Sequence, residues 1–287
     1  SPSVTFSANA YSPGNGRTHS RAVVMEKKPR AFDAAASARV DRMYQNPDIV
    51  AQRVFVRDHL ALQPGEAVID VGAGPGLLAL EMAADVGPTG KVLALDPSAD
   101  MRSIAEKRCQ DSNWITVTDG DATALPADDA SLDAVVATQV FEYVPDMPAA
   151  LKECLRVLKP GGRLLALDTD WDSAVINTAE RDRMTKVLAA WRAHFFHSDL
   201  PGRLPRLIRE AGFDLRFTGG TPVVNTSMNK DTYAGDVVFT IAKFAERKGG
   251  LTPDICAAWL KEMTDLDAAG RFFFSITRFL FVAIKPN

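Results

Sequence analysis

The chain of 287 residues is 46% hydrophobic and 24% charged, ordinary globular usage with enough apolar material for one large domain with additions. Its 33 basic and 36 acidic residues are scattered and leave a net charge of −3, so neither a nucleic-acid face nor a membrane-binding basic run is indicated, and small-molecule partners are expected. The longest apolar runs fall short of the ~20 residues of a spanning helix, "FFFSITRFLFVAI" being broken by Arg278.

Residues 1–30 are rich in Ser, Pro, Gly and Asn and read as a flexible leader. Residues 31–63 read as a helical prefix, with Val40, Met43, Val50, Val54 and Leu60 at helical spacing and Pro47 dividing two pieces. From residue 64 to 287 the chain reads as one domain. It opens with "AVIDV" (67–71), a helix over about 76–86, "KVLALD" (91–96), a helix over about 98–110 and "WITVT" (114–118). It continues with "LDAVVAT" (132–138), a helix over about 148–158 and "RLLALD" (163–168). Short apolar strands alternating with helices predict an α/β fold, a doubly wound, mostly parallel sheet covered on both faces.

Two segments break the alternation. Residues 171–202 read as an insertion carrying a long helix, with Met184, Val187, Leu188, Trp191 and Phe195 on one face. After "RLPRLIREAGF" and "DLRFTGG" resume a helix and a strand, residues 222–270 form a second, largely helical insertion, and "RFFFSITRFLFVAIKP" ends the chain as a strand or hairpin. Cys109, Cys154 and Cys256 are odd in number and lack a CxxC spacing, so no disulfide framework and no metal site is expected, and a reducing cytoplasm is.

In such sheets the ligand crevice lies outside the carboxyl ends of the strands. The loop after the first strand, Gly72-x-Gly74-x-Gly76, departs from the dinucleotide pattern G-x-G-x-x-G, because Leu77 stands where the third glycine belongs. Asp70, two residues ahead of Gly72, would repel a pyrophosphate and attract an ammonium group, the charge pattern of S-adenosylmethionine (SAM). Asp96 follows Gly72 by 24 residues, a spacing suited to a ribose diol.

In this order, "VIDVGAGPG", "LDPSADM", "GDATALP" and "PGGRLLALD" resemble the class I SAM-dependent methyltransferases. The segment "DIVAQRVFVRDHLALQPGEAVIDVGAGPGLLALEMA" and the tail "AAGRFFFSITRFLFVAIKP" are similar to the group that contains the ubiquinone and menaquinone biosynthetic enzymes. The resemblance implies a Rossmann-like, seven-stranded sheet with an N-terminal helical lid. It further implies that Asp70, Gly72, Ala73, Gly74 and Gly76 line the methionine end of SAM, that Asp96 and Pro97 meet the ribose, and that Met101, Gly120, Asp121 and Ala122 surround the adenine. Thr138, Gln139 and Val140 would then run under the sulfur, and Tyr44 would close over it as part of the lid.

Methyl transfer needs no protein nucleophile, and needs a base only when the acceptor arrives protonated. His194 and His197 in "AHFFHSDL" are the candidate catalytic residues. Tyr143, Asp170, Trp171 and Trp191 are candidate acceptor contacts, and their aromatic character suggests an apolar or aromatic metabolite of secondary or quinone-type metabolism, with a C, O or N acceptor atom left open. Two other readings stand beside this one: a SAM-binding protein without methyl transfer, and an NAD-dependent oxidoreductase, which the loop spacing opposes. An arsenite methyltransferase would need several site cysteines, which this chain does not supply. The oligomeric state is open, a homodimer among the options.

Overall fold

The computed structural model describes residues 40–287; the expected leader and the first part of the helical prefix lie outside them. Seven strands form one sheet: β1 (Ala67–Val71), β2 (Lys91–Leu95), β3 (Ile115–Thr118), β4 (Leu132–Thr138), β5 (Leu158–Ile176), β6 (Asp214–Asn225) and β7 (Phe274–Ile284). Their order is β3-β2-β1-β4-β5-β7-β6, parallel from β3 to β5 and antiparallel on both sides of β7. The order reverses between β1 and β4, and a crevice opens at such a switch point.

Strand alternation sends successive side chains to opposite faces. Ile69, Val135, Leu164, Ala166 and Phe281 pack on one face with α4 (Met147–Val157) and α6 (Leu200–Glu210). Val68, Val136, Leu165, Leu167 and Leu280 pack on the other with α1 (Pro47–Leu60) and α2 (Leu77–Val86), while α3 (Ala99–Cys109) bridges β2 and β3. Pro47 starts α1 at a position where its missing N–H costs nothing, and the Asn46 side chain caps that end by accepting from the Ile49 N–H at 3.0 Å. Residues 40–43, just before it, are helical. The expected division of the prefix at Pro47 therefore holds.

The two expected insertions build a single body. Helices α5 (Arg181–Arg192), α7 (Tyr233–Arg247) and α8 (Pro253–Ala268) share one apolar core, containing Met184, Val187, Trp191, Val237, Ile241, Trp259 and Met263, which closes over Trp171, Val223, Phe274 and Ile276 at the ends of β5, β6 and β7. One part of the sequence reading is corrected here. The strand read over 163–168 belongs to β5, which extends to Ile176 with a break in register between Asp170 and Val175, and the insertion helix spans only Arg181–Arg192. Apolar residues at 3.6-residue spacing over 184–195 were legible, but strand extension depends on pairing with β7, a partner about a hundred residues away in sequence. The tail is a single strand, β7.

Candidate active site

The three loop glycines all adopt positive φ, which a residue without Cβ accepts freely, but they serve different contacts. A Cβ on Gly72 would collide with the Val140 side chain on the loop after β4. A Cβ on Gly74 would stand 3.7 Å from the Tyr44 ring, an ordinary van der Waals contact, so this glycine lies directly beneath the prefix. A Cβ on Gly76 would stand 2.9 Å from Ala105 Cβ and 3.1 Å from its Cα, so its face is filled by α3 and is a packing contact. The close helix packing that a dinucleotide loop assigns to its third glycine falls here on Gly76.

Salt bridges fix the prefix over this loop. Arg108 of α3 donates to the Pro75 carbonyl and pairs with Asp41 at 2.9 Å, while Arg53 of α1 binds Glu81 at 2.8 Å and the Tyr44 carbonyl at 2.6 Å.

Two acids stand at the strand ends. Asp96 accepts from the Gly74 N–H through Oδ2 and from the Ser98 N–H through Oδ1, both at 2.8 Å, so it holds the glycine loop to the start of α3. Burial raises its carboxyl above the usual range, opposed by these two N–H donors. Asp70 is 1% exposed, and its Oδ2 has no hydrogen-bond partner. Burial, with the neighbouring Asp96 charge second, pushes its carboxyl up to about 8. A buried acid with an empty acceptor, facing a glycine loop, fits a cation and opposes a pyrophosphate.

On the far side, the Ala73 N–H donates to the Leu95 carbonyl at 2.8 Å, and Gly120 lies so close to Leu95 that a Cβ would collide. Asp121 is exposed and folds back, its Oδ1 accepting from the Thr123 N–H at 2.8 Å, while Ala122 and Met101 are buried and Pro97 is exposed. Thr138 ends β4 half-buried.

Beyond β4 the chain turns through Gln139, a non-glycine at φ +57, whose N–H donates to the Leu167 carbonyl at 2.7 Å. Its Oε1 accepts from Thr169 and its Nε2 is buried without an acceptor. Such strain persists where surrounding contacts over-determine it, commonly at sites. Asp168, fully buried, accepts from the Glu142 N–H at 3.2 Å and so fixes the 3-10 turn that carries Tyr143; burial pushes its carboxyl up to about 8 against the N–H donors of that turn.

The candidate acceptor residues gather in an aromatic cluster. Trp171 stacks on Phe195 at 5.4 Å and meets Trp191 edge-on at 5.3 Å; Tyr143 contacts Phe195 at 5.3 Å and His194 at 5.6 Å, and His194 stacks on Trp191 at 4.6 Å. Asp170, the residue before Trp171, is half-buried and accepts from the Asp172 N–H at 3.0 Å. The structure separates the two histidines. His197 uses both ring nitrogens, Nε2 at 3.0 Å from the Val144 carbonyl and Nδ1 at 3.1 Å from Arg203 Nη2, so it braces the turn after β4 against α6. Burial, then the Arg203 charge, lowers its pKa. In this arrangement both ring nitrogens of His197 are engaged by protein groups, whereas His194 lies among the aromatic rings.

Sequence reasoning passed over Gln52, Thr169 and the buried Arg278. The signal for Arg278 was present: it occupies the inward register of β7 between Ile276 and Leu280, where a charge is out of pattern. Among the described residues no helix is long and apolar enough to cross a membrane, and no group of three or more His, Cys, Asp or Glu could hold a metal ion.

Comparison with known proteins gives the family. A methyltransferase domain family matches residues 69–166. The chain is 33% identical over 265 residues to an uncharacterized 37.1 kDa protein in transposon TN4556 of Streptomyces fradiae, covering 88% of this chain and 73% of that protein. It is 30% identical over 204 residues to the demethylmenaquinone methyltransferase of Staphylococcus aureus strain JH9, covering 64% of this chain and 85% of that one. Its fold is similar to that of phosphoethanolamine N-methyltransferase 2 of Haemonchus contortus in complex with phosphomonomethylethanolamine and S-adenosylhomocysteine. The TM-score is 0.58 at 15% identity, over 89% of this chain and 58% of the other.

Proposed function

Because the chain belongs to the class I SAM-dependent methyltransferases, we propose that the strand-end groups described above hold SAM and that the methyl group goes to a small aromatic or otherwise apolar metabolite. The observation that carries the cofactor placement is the buried Oδ2 of Asp70, which has no hydrogen-bond partner among the described residues, beside a loop of three positive-φ glycines. Asp70 would take the cationic amino group. The N-terminus of α2, which lacks a side-chain cap, would face the carboxylate. Asp96 would take the ribose hydroxyls, Met101, Gly120, Asp121 and Ala122 would surround the adenine, and Tyr44 would close the site. When bound, SAM would supply a methyl carbon on a cationic sulfur, open to attack by a lone pair of the acceptor with the thioether as leaving group.

The protein's share is orientation and exclusion of water. Gln139, held in its strained turn, fixes the floor of the site beside Val140, and the Trp171, Trp191, Phe195, Tyr143 and His194 rings supply a dry wall against which a flat acceptor can stack. Incubation with labelled SAM and a metabolite extract should give a labelled product together with S-adenosylhomocysteine. Hydrolysis of SAM without any acceptor-dependent product would refute the transferase assignment for this site.

Asp70 makes the reading testable by pH. An acid whose folded pKa is raised is protonated in the folded chain while the unfolded chain ionises near its ordinary ~4. Stability is therefore full below ~4 and falls as pH rises toward about 8, by at most ~1.4 kcal/mol per pH unit for this group. Denaturant titrations of cofactor-free protein should show this fall, and it should shrink in Asp70→Asn. Cofactor binding below pH about 8 should release a proton, visible by calorimetry in buffers of different ionisation enthalpy. Binding with no proton release would remove Asp70 from the cation site.

The histidines give opposite expectations. His197→Ala should lower stability by about 1–2 kcal/mol, since the buried Val144 carbonyl and the half-buried Arg203 lose their bonds, with turnover retained by the folded fraction. His194→Phe, which keeps an aromatic wall, should leave turnover within a few-fold. A drop of roughly 10² to 10⁴ in kcat for His194→Phe at constant SAM affinity would instead identify it as the base.

A further inference from the structure

Arg278 is 1% exposed at the site end of β7, yet among the described residues its guanidinium makes a single hydrogen bond, from Nη1 to Gln52 Oε1 on α1. Its Nε–H is buried without an acceptor, and the Tyr233 ring lies 4.5 Å from its Cζ. Among the described residues no acid forms an ion pair with it; Asp48 of α1 accepts through Oδ2 from Asn225 Nδ2 at 3.0 Å and from the Tyr233 N–H at 2.8 Å. A buried, unpaired cation is costly, and proteins pair such charges internally or with a ligand.

Its neighbours are equally one-sided. Arg278 stands opposite Thr169 in the β5–β7 register, so the two side chains share a face of the sheet. Thr169 bonds Gln139, whose Nε2 has no acceptor; Trp171, two residues further along β5, has a buried Nε1 without one, and so does Trp191, against it at 5.3 Å. Gln139 adjoins Val140, which packs against Gly72, so these groups continue from the glycine loop to Arg278. Four buried N–H donors of different residues thus lack acceptors among the described residues beside the aromatic cluster.

Resting on the methyltransferase reading, we propose that Arg278, with Gln139 and Trp171, recognises an anionic oxygen on the acceptor, so that the substrate is a flat aromatic molecule carrying an ionised hydroxyl or a carboxylate. If the hydroxyl itself is methylated, it arrives already deprotonated and no base is required, which accords with the bonding of His197 to Val144 and Arg203.

The test is equilibrium dialysis with two probe pairs, 4-nitrophenolate against 4-nitroanisole at alkaline pH and benzoate against benzamide, together with separate dialysis of S-adenosylhomocysteine. The wild type should bind an anion at least roughly tenfold tighter than its neutral partner. Preference within the first pair marks an ionised hydroxyl, and within the second a carboxylate. Arg278→Met should abolish the preference, keep S-adenosylhomocysteine affinity, and melt at the same or a higher temperature, because an apolar residue of similar volume replaces an unpaired buried charge. Arg278→Lys should keep part of the preference, and Trp171→Phe, which loses the indole N–H and part of the ring but no charge, should weaken it less than Arg278→Met. Equal binding of anion and neutral partner, binding of neither, or a preference that survives in Arg278→Met overturns the assignment. Loss of stability in Arg278→Met with the preference intact would make Arg278 a structural tie to Gln52. Failure of S-adenosylhomocysteine to bind the wild type would sink the cofactor reading instead, while the anion preference is read independently.

Discussion

Replacing Asp96 by alanine is expected to weaken SAM binding by on the order of 10²- to 10⁴-fold, the loss of two charged hydrogen bonds at roughly 1.5–3 kcal/mol each. In the cofactor-free chain each carboxylate oxygen already accepts one backbone N–H, from Gly74 or Ser98, and an ionised oxygen has room for a second donor. Asp96 would thus hold the loop and the ribose diol at once. Stability should fall as well, by about 1–3 kcal/mol, because the two N–H groups lose their acceptor at a partly open strand end. Calorimetric titration at a temperature where the variant remains folded separates the two effects. Unchanged SAM affinity there would take the ribose away from Asp96.

Two glycines two residues apart should respond in opposite ways to the same substitution. Gly74→Val sets its Cβ against the Tyr44 ring, so the fold bears the cost of a positive φ, about 1–2 kcal/mol, together with a shift of that ring, while cofactor binding should vanish. Gly76→Val drives a side chain into Ala105 at a positive φ, so stability should fall by about 2–5 kcal/mol, and whatever fraction still folds should bind SAM. Thermal unfolding paired with dialysis of SAM checks both. Full cofactor binding by a folded Gly74→Val would show that SAM passes elsewhere, and an undiminished melting temperature for Gly76→Val would show that α3 yields to the side chain.

The alternation from Ala67 to Leu167 was readable because each strand there is short, apolar and flanked by turn residues, and because parallel strands buried on both faces advertise themselves as continuous apolar runs. The strand-end acids were readable for the same reason: Asp70 and Asp96 follow directly from strands whose ends the pattern locates. The cap was not. Residues 171–202 and 222–270 showed helical faces, but nothing in a linear pattern says that the face carrying Trp191 meets the faces carrying Ile241 and Trp259.

The sequence by itself determined the sheet, the side on which the crevice opens and the acidic, glycine-lined loop at its mouth, because these depend on local periodicity and on chemistry carried within a few residues. Only the tertiary structure decided that Gly76 serves helix packing while Gly74 lies against Tyr44, that His197 bonds Val144 and Arg203, and that Arg278 lies buried beside Thr169 with no acid paired to it among the described residues. Each of these is a statement about a partner distant in the chain. Burial and the saturation of hydrogen bonds are properties of what surrounds a group, and a residue's own neighbours in sequence carry little record of them.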